Sequence, residues 1–189
     1  MEIIEIVGAV IGLLYLYLEY KADKWLWPVG VLMPLIYVYI FFHAKFYADM
    51  GINVYYFFAS VYGWIKWTKA SGDEAGTPIS SIPAKKIIPI AVVFALIFAF
   101  IAHILFHYTD SPVPIGDSLI TALSIIAMWM LANKYIEQWW VWIVVNAISC
   151  GLYFWKDLNY TALLFVIYTI VPFFGYFKWK KLMKEQTGK

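Results

Sequence analysis

From Ile87 to Phe106 the chain runs for twenty residues without an aspartate, glutamate, lysine or arginine. As an α-helix at 1.5 Å per residue, such a run is about 30 Å long, which is the thickness of a bilayer's hydrocarbon core. Six other segments approach that length: Ile3–Tyr20, Leu26–Phe42, Tyr47–Trp67, Asp117–Leu131, Gln138–Trp155 and Tyr160–Trp179. Charges collect in the breaks, at Lys21-Ala-Asp-Lys24, His43 to Lys45, Asn133-Lys134 and Lys156-Asp157. The longest break, Thr68 to Lys86, is polar, holds Gly72, Gly76, Pro78 and Pro83, and reads as a flexible loop. Alternation is weak and the apolar runs are too long for barrel strands. With 63% hydrophobic and only 14% charged residues, against about 25% charged in soluble domains, the chain has too few polar residues to cover a soluble core. The expectation is an all-α membrane protein of seven transmembrane helices.

Seven spans put the termini on opposite sides, and the 14 lysines then sort unevenly. The N-terminus and the second, fourth and sixth loops hold Lys45 and Lys156. The other side holds the remaining twelve, Lys21, Lys24, Lys66, Lys69, Lys85, Lys86, Lys134, Lys178, Lys180, Lys181, Lys184 and Lys189. The positive-inside rule places that side, with the C-terminus, in the cytoplasm and the N-terminus outside. Losing or merging one span would scramble the split. Trp25, Trp27, Trp64, Trp67, Trp139, Trp140 and Trp179 cluster at span ends, as interface anchors do. Glu2 and Glu5 stand where a cleavable signal peptide would carry positive charge. The single cysteine, Cys150, allows no internal disulfide and sits mid-helix as a packing residue. A net charge of +2 without any arginine gives no reason to expect nucleic acid.

The chain repeats itself. Tyr62-Gly-Trp-Ile-Lys-Trp67 and Phe174-Gly-Tyr-Phe-Lys-Trp179 align at an offset of 112 residues. Trp25-Leu-Trp27 and Trp140-Val-Trp142, like Glu2 and Asp117, align at 115. Spans one to three therefore resemble spans five to seven. An odd linker helix makes the two triplets parallel, a known transporter plan with the solute site between repeats. In a chain that is 21% aromatic such matches can arise by chance, but the shared Gly and Lys argue against it. The organisation is a first three-helix repeat over 1–69, a cytoplasmic loop over 70–86, a linker transmembrane helix over 87–107, a second repeat over 117–181 and a cytoplasmic tail over 182–189.

Polar side chains inside spans are costly and usually face the protein interior. On the sixth span Trp139, Trp142 and Asn146 stand at i, i+3 and i+7, and Ser149, Cys150 and Tyr153 extend the stripe. Asp49, Asn53, Tyr56, Ser60 and Trp64 form a stripe on the third span, and Asp117, Thr121, Ser124 and Met128 one on the fifth. The seventh offers Tyr168 and Pro172 on one face, with Pro172 expected to kink it. Plainer readings stand beside these. Asn53 and Asn146 serve as interhelical hydrogen-bond glue, Trp139 as an interface anchor, Thr121 and Ser124 as small packing residues, and Asp49 and Asp117 as solvated charges. Trp142 and Asn146 fall well inside their span. An amide flanked by indoles can bond the edge of a planar solute while a ring stacks on its face. No mid-span lysine suits an anion, and no charged ring suits an ion pore. A flat, polar, aromatic solute fits, and a cation over Trp or Tyr gains about 0.5–2 kcal/mol when desolvated.

The stretch Asp117-Ser-Leu-Ile-Thr-Ala-Leu-Ser-Ile-Ile-Ala-Met128, followed by Lys134-Tyr-Ile-Glu-Gln-Trp-Trp-Val-Trp-Ile-Val-Val-Asn146, resembles the PnuC family of vitamin transporters. Its W-x-x-W-x-x-x-N pattern is matched by Trp139, Trp142 and Asn146; Tyr62-Gly-Trp64 and Tyr47-Ala48 look like its first-half signatures. The likeness covers nearly the whole chain and is weakest in the fourth span and the Thr68–Lys86 loop. It implies a 3+1+3 fold like a full-length relative of the SWEET facilitators. It implies a homotrimer in the bacterial inner membrane and facilitated diffusion of an unphosphorylated vitamin, trapped by a cytosolic vitamin kinase. Family members carry nicotinamide riboside, thiamine or riboflavin. Set beside nicotinamide riboside members, no counterpart of the additional N-terminal helix found in some of them is expected, and Val171-Pro-Phe-Phe174 departs from them. The Thr121–Asn146 run and Leu13-Leu-Tyr-Leu-Tyr-Leu-Glu-Tyr-Lys21 look more like the thiamine branch, PnuT.

The site residues expected on these grounds are Trp142 to stack on the solute, Asn146 to hydrogen-bond it, and Asn53 and Tyr56 facing them from the first triplet. Trp139, Tyr153, Tyr168, Ser124 and Thr121 complete the set. No cofactor or metal is implied. An intramembrane enzyme would need a nucleophile–base or metal constellation, and no G-x-S-x-G or H-E-x-x-H occurs. An accessory subunit without a site is the other alternative.

Overall fold

A computed structural model describes residues 2–44, 47–69, 77–155 and 159–188, with side chains apart from 2–9, 40–41, 44, 47–49, 159–162 and 164. Lys45, Lys156, Lys189 and residues 70–76 of the long loop lie outside the described residues, as does the side chain of Asp49. Seven helices follow one another: α1 (Glu2–Tyr20), α2 (Leu26–Ala44), α3 (Tyr47–Lys69), α4 (Ala84–Tyr108), α5 (Pro114–Ala132), α6 (Gln138–Trp155) and α7 (Asn159–Gln186). Each of the seven expected spans coincides with one of these helices. Among the described residues the only β-type pairing is an isolated bridge between Ser80 and Tyr135.

The residues fall into two compact units, Met1–Ile79 with Ala132–Lys134 and Lys181–Lys189, and Ser80–Leu131 with Tyr135–Lys180. In the first, α2 packs against α1 and α3. Trp27 of α2 is fully buried, its ring lies against Gly63 of α3, and Trp67 meets it edge-on at 5.4 Å and 89°. In the second unit, Trp139 of α6 is fully buried against Gly175 of α7, and Trp179 meets it edge-on at 5.5 Å and 89°. Each glycine is there because an indole occupies the space of a Cβ. These two lock-and-edge arrangements match residue for residue at an offset of 112.

The backbone keeps the same offset. Helices α1, α2 and α3 start at residues 2, 26 and 47, and α5, α6 and α7 at 114, 138 and 159. Ala22 and Lys134, also 112 apart, both adopt the left-handed conformation, at φ 54° and 52°. Each ends its helix with a bond from the next residue back five positions: Asp23 N–H to Leu18 O at 2.9 Å, and Tyr135 N–H to Met130 O at 3.0 Å. That is the Schellman pattern, which normally takes glycine. Trp27 thus pairs with Trp139, and the alignment of Trp25-Leu-Trp27 with Trp140-Val-Trp142 at 115 is three residues out of step.

Apolar surface faces outward to an extent water would penalise. No described residue of α4 is buried, and Ile88, Leu96 and Phe100 are each more than 60% exposed. Ile90, Phe94 and Ile97, spaced along one side of α4, pack on Ile126, Met130 and Tyr135. One stripe of α4 therefore faces protein and the rest suits lipid. By length and hydropathy alone, α4 and α5 qualify as spans, with mean hydropathy 2.8 and 1.8. Val10–Tyr20 and Leu26–Tyr39 are shorter apolar stretches.

Candidate substrate site

Proline creates the polar centre of each unit. Pro172 sits inside α7 and has no N–H for the carbonyl four residues back, that of Tyr168. A buried carbonyl left unpaired costs about 1–3 kcal/mol. Asn146 of α6 supplies the missing donor, its Nδ2 reaching Tyr168 O at 2.8 Å. In the first unit Pro34 inside α2 orphans the carbonyl of Gly30 in the same way. Ser60 of α3 supplies that donor at 3.3 Å. The 112-residue offset maps Pro34 onto Asn146 and Ser60 onto Pro172, so the proline and its donor exchange helices between the units.

Around Asn146 the second unit gathers several of the expected residues. Tyr153 lies 5.0 Å from the ring of Phe165, which in turn meets Tyr168 at 5.7 Å. Asn146, Tyr153 and Tyr168 therefore share one α6–α7 neighbourhood. Trp142 stands one turn before Asn146; its indole N–H is buried and has no hydrogen-bond partner among the described residues. Asn146 commits one amide N–H to the backbone, and its carboxamide also carries an oxygen acceptor. Glue and ligand-binder are thus compatible roles for one side chain.

Other candidates have structural occupations. Trp139 is fully buried and locked against Gly175. The Thr121 hydroxyl turns back to the Asp117 carbonyl at 2.8 Å, and the Asp117 carboxylate accepts from Ser111 Oγ at 2.7 Å. Ser124 is buried in α5. In the first unit Asn53 and Tyr56 are half-buried on α3, with the Tyr56 ring 5.8 Å from that of Tyr55.

Two features of the first unit escaped the sequence reading. Glu19 of α1 is only 3% exposed. Tyr15, one turn earlier, interacts electrostatically with both Glu19 and Tyr56. The Tyr15 ring lies over Gly30, where a Cβ would come within 2.8 Å of it. The i, i+4 spacing of Tyr15 and Glu19 inside an apolar span was the available signal, and such a carboxylate marks a functional site by default. No group of three metal-ligating side chains occurs among the described residues.

Comparison with known proteins decides the family. Residues 2–181 match the family model described as nicotinamide mononucleotide transporter. The chain belongs to that family. The nicotinamide riboside transporter PnuC of Escherichia coli (strain K12) is 26% identical over 211 residues, covering 98% of this chain and 88% of the relative. The riboflavin/roseoflavin transporter RibM of Streptomyces davaonensis is 24% identical over 180 residues, covering 93% and 83%. The crystal structure of the vitamin B3 transporter PnuC superposes with a TM-score of 0.73 at 25% identity, covering 95% of this chain and 81% of that one. The seven-helix fold and the membrane setting of this nicotinamide mononucleotide transporter family member follow from the same match.

Proposed function

We propose that the chain carries an unphosphorylated vitamin, thiamine in the first instance, across the bacterial inner membrane. The family match over residues 2–181 carries this reading. Transport is by facilitated diffusion, with a cytosolic vitamin kinase trapping the product. The 12-to-2 lysine split supports an N-terminus outside and a C-terminus in the cytoplasm. The constant offset between helix starts supports duplicated three-helix repeats joined by α4, and the family resemblance supports a homotrimer.

In the second unit, Trp142 stacks on or donates to the solute, and the side-chain oxygen of Asn146 accepts from it; Tyr153 and Tyr168 border them. Thiamine is favoured by the Leu13–Lys21 and Thr121–Asn146 runs. A buried acidic side chain at Glu19, one turn from Tyr15, supports a cationic solute. Nicotinamide riboside, also a flat cation, is the second reading, supported by the name of the Escherichia coli relative. The test is a tryptophan-fluorescence titration of the purified protein with thiamine and nicotinamide riboside. Saturable quenching by at least one is expected, weakened by Trp142→Ala and by Asn146→Ala. No response to either vitamin removes the solute assignment. Unchanged affinity in both variants removes the two residues.

A further inference from the structure

The start of α6 is held by a dense set of polar contacts within the second unit. Ile136 N–H donates to Ser80 O at 3.0 Å, Ile82 N–H to the Glu137 carboxylate at 3.1 Å, and Lys86 Nζ to the Tyr135 hydroxyl at 2.8 Å. The N–H groups of Gln138, Trp139 and Trp140 bond back to Tyr135, Ile136 and Glu137. Against this background Gln138 stands out. Its side chain is fully buried, yet neither amide atom, Nε2 nor Oε1, has a hydrogen-bond partner among the described residues. Buried polar atoms of native proteins are nearly always paired, and each exception calls for a physical reason. The indole nitrogen of neighbouring Trp139 is likewise buried without a partner among the described residues, and Trp142, at i+4 on the same helix face as Gln138, holds another such atom.

A structural role does not account for this. At the matching position of α2 the first unit has Leu26, also fully buried. An aliphatic side chain therefore packs well at a helix start of this kind. The glutamine forgoes that and leaves one donor and one acceptor unused in a rigidly held place.

We propose that the Gln138 carboxamide is a recognition element for a donor–acceptor edge on the solute, with the Trp142 N–H as an additional donor. This deepens the vitamin-transport reading and rests on it. A primary carboxamide offers a donor and an acceptor side by side. Its complement is an edge carrying an N–H next to a lone pair. The aminopyrimidine of thiamine, the carboxamide of nicotinamide riboside and the imide edge of riboflavin all carry one. A single residue thus serves three otherwise dissimilar heterocycles. Discrimination is strong at such sites, because a solute lacking the edge leaves the buried amide unpaired.

The experiment compares each vitamin with an analogue of equal charge that lacks the edge's N–H. The pairs are nicotinamide riboside against its 3-acetylpyridine counterpart, and thiamine against its desamino form. Affinities are measured by titration of the full chain in detergent and of Gln138→Leu. For whichever vitamin binds, the wild-type protein should prefer it over its analogue by roughly tenfold or more. Gln138→Leu should reduce that preference to within about threefold. It should unfold at the same or a higher temperature, since replacing an unpaired buried amide by an apolar group removes a penalty. A wild type that binds vitamin and analogue equally overturns the proposal without any variant. So does an undiminished preference in Gln138→Leu, or in the near-isosteric Gln138→Met, which also removes the amide, should the leucine variant not fold. A wild type that binds none of the four compounds removes the vitamin reading itself, and this proposal with it.

Discussion

Gly63 and Gly175 provide the sharpest test of the packing. An alanine Cβ at 63 would lie 2.4 Å from three ring atoms of Trp27, and at 175 it would lie 2.6–2.7 Å from three ring atoms of Trp139. Ordinary contact begins at 3.4 Å, so each ring would have to retreat by roughly 1 Å. Both indoles are fully buried and braced edge-on by Trp67 or Trp179. Overpacking of this kind costs about 1–3 kcal/mol. Alanine in a helix returns up to about 1 kcal/mol relative to glycine. The net expectation is a loss of about 1–2 kcal/mol for each variant, or roughly 2–8 °C in unfolding temperature for a chain of this length. Gly51 and Gly151 are internal controls, because a Cβ at either meets nothing within 4 Å. Alanine there should stabilise by about 0.5–1 kcal/mol. Thermal unfolding of all four variants in one detergent measures the ordering. Gly63→Ala or Gly175→Ala melting at or above the wild type would refute the locked-indole description.

The proline-centred bond predicts a compensation. Asn146→Ala should destabilise by about 1–3 kcal/mol in the wild-type background, and by less than half as much beside Pro172→Ala, which restores the N–H that Tyr168 O lost. Equal losses in both backgrounds, by thermal unfolding, would count against that role. Ala22→Gly should stabilise by about 1 kcal/mol, since an L-residue in the left-handed region costs roughly that much; an unchanged midpoint would contradict it. Burial lowers Lys134, at the α5–α6 turn, to about 8, opposed by attraction to Asp23. Its folded-state value lies below the unfolded one, so the unfolded chain binds more protons between about pH 8 and pH 10.5, and stability should rise with pH across that window by up to about 3 kcal/mol. Lys134→Met should flatten this part of the unfolding-midpoint profile, and a profile as steep as the wild type's would contradict the assignment.

The helices were legible because a bilayer demands only length and apolarity. Span ends were less so. The seventh was expected to stop at its interface tryptophan, Trp179, whereas α7 continues to Gln186. The added residues Lys180-Lys-Leu-Met-Lys-Glu-Gln186 are good helix formers that need no membrane. The fifth was expected from Asp117 and begins at Pro114, a residue well suited to a first helical turn. The register of the repeat was blurred by too many tryptophans, and the features that fix it, left-handed Ala22 and Lys134, are invisible where no glycine marks them. In the candidate site, Asn146 was legible as a polar residue deep in a span. Its bond to Tyr168 O was not, because Pro172 announces an orphaned carbonyl without naming the donor. Gln138 looked like an ordinary boundary residue, and only its complete burial makes its amide unusual.

The central claim is tested most directly by solute entry into proteoliposomes holding the purified chain, with labelled thiamine and labelled nicotinamide riboside, no ATP and no ion gradient. Facilitated diffusion predicts saturable entry of at least one vitamin that stops when internal and external concentrations are equal, slowed by Trp142→Ala and Asn146→Ala. Entry of neither vitamin above that of empty liposomes would contradict the account.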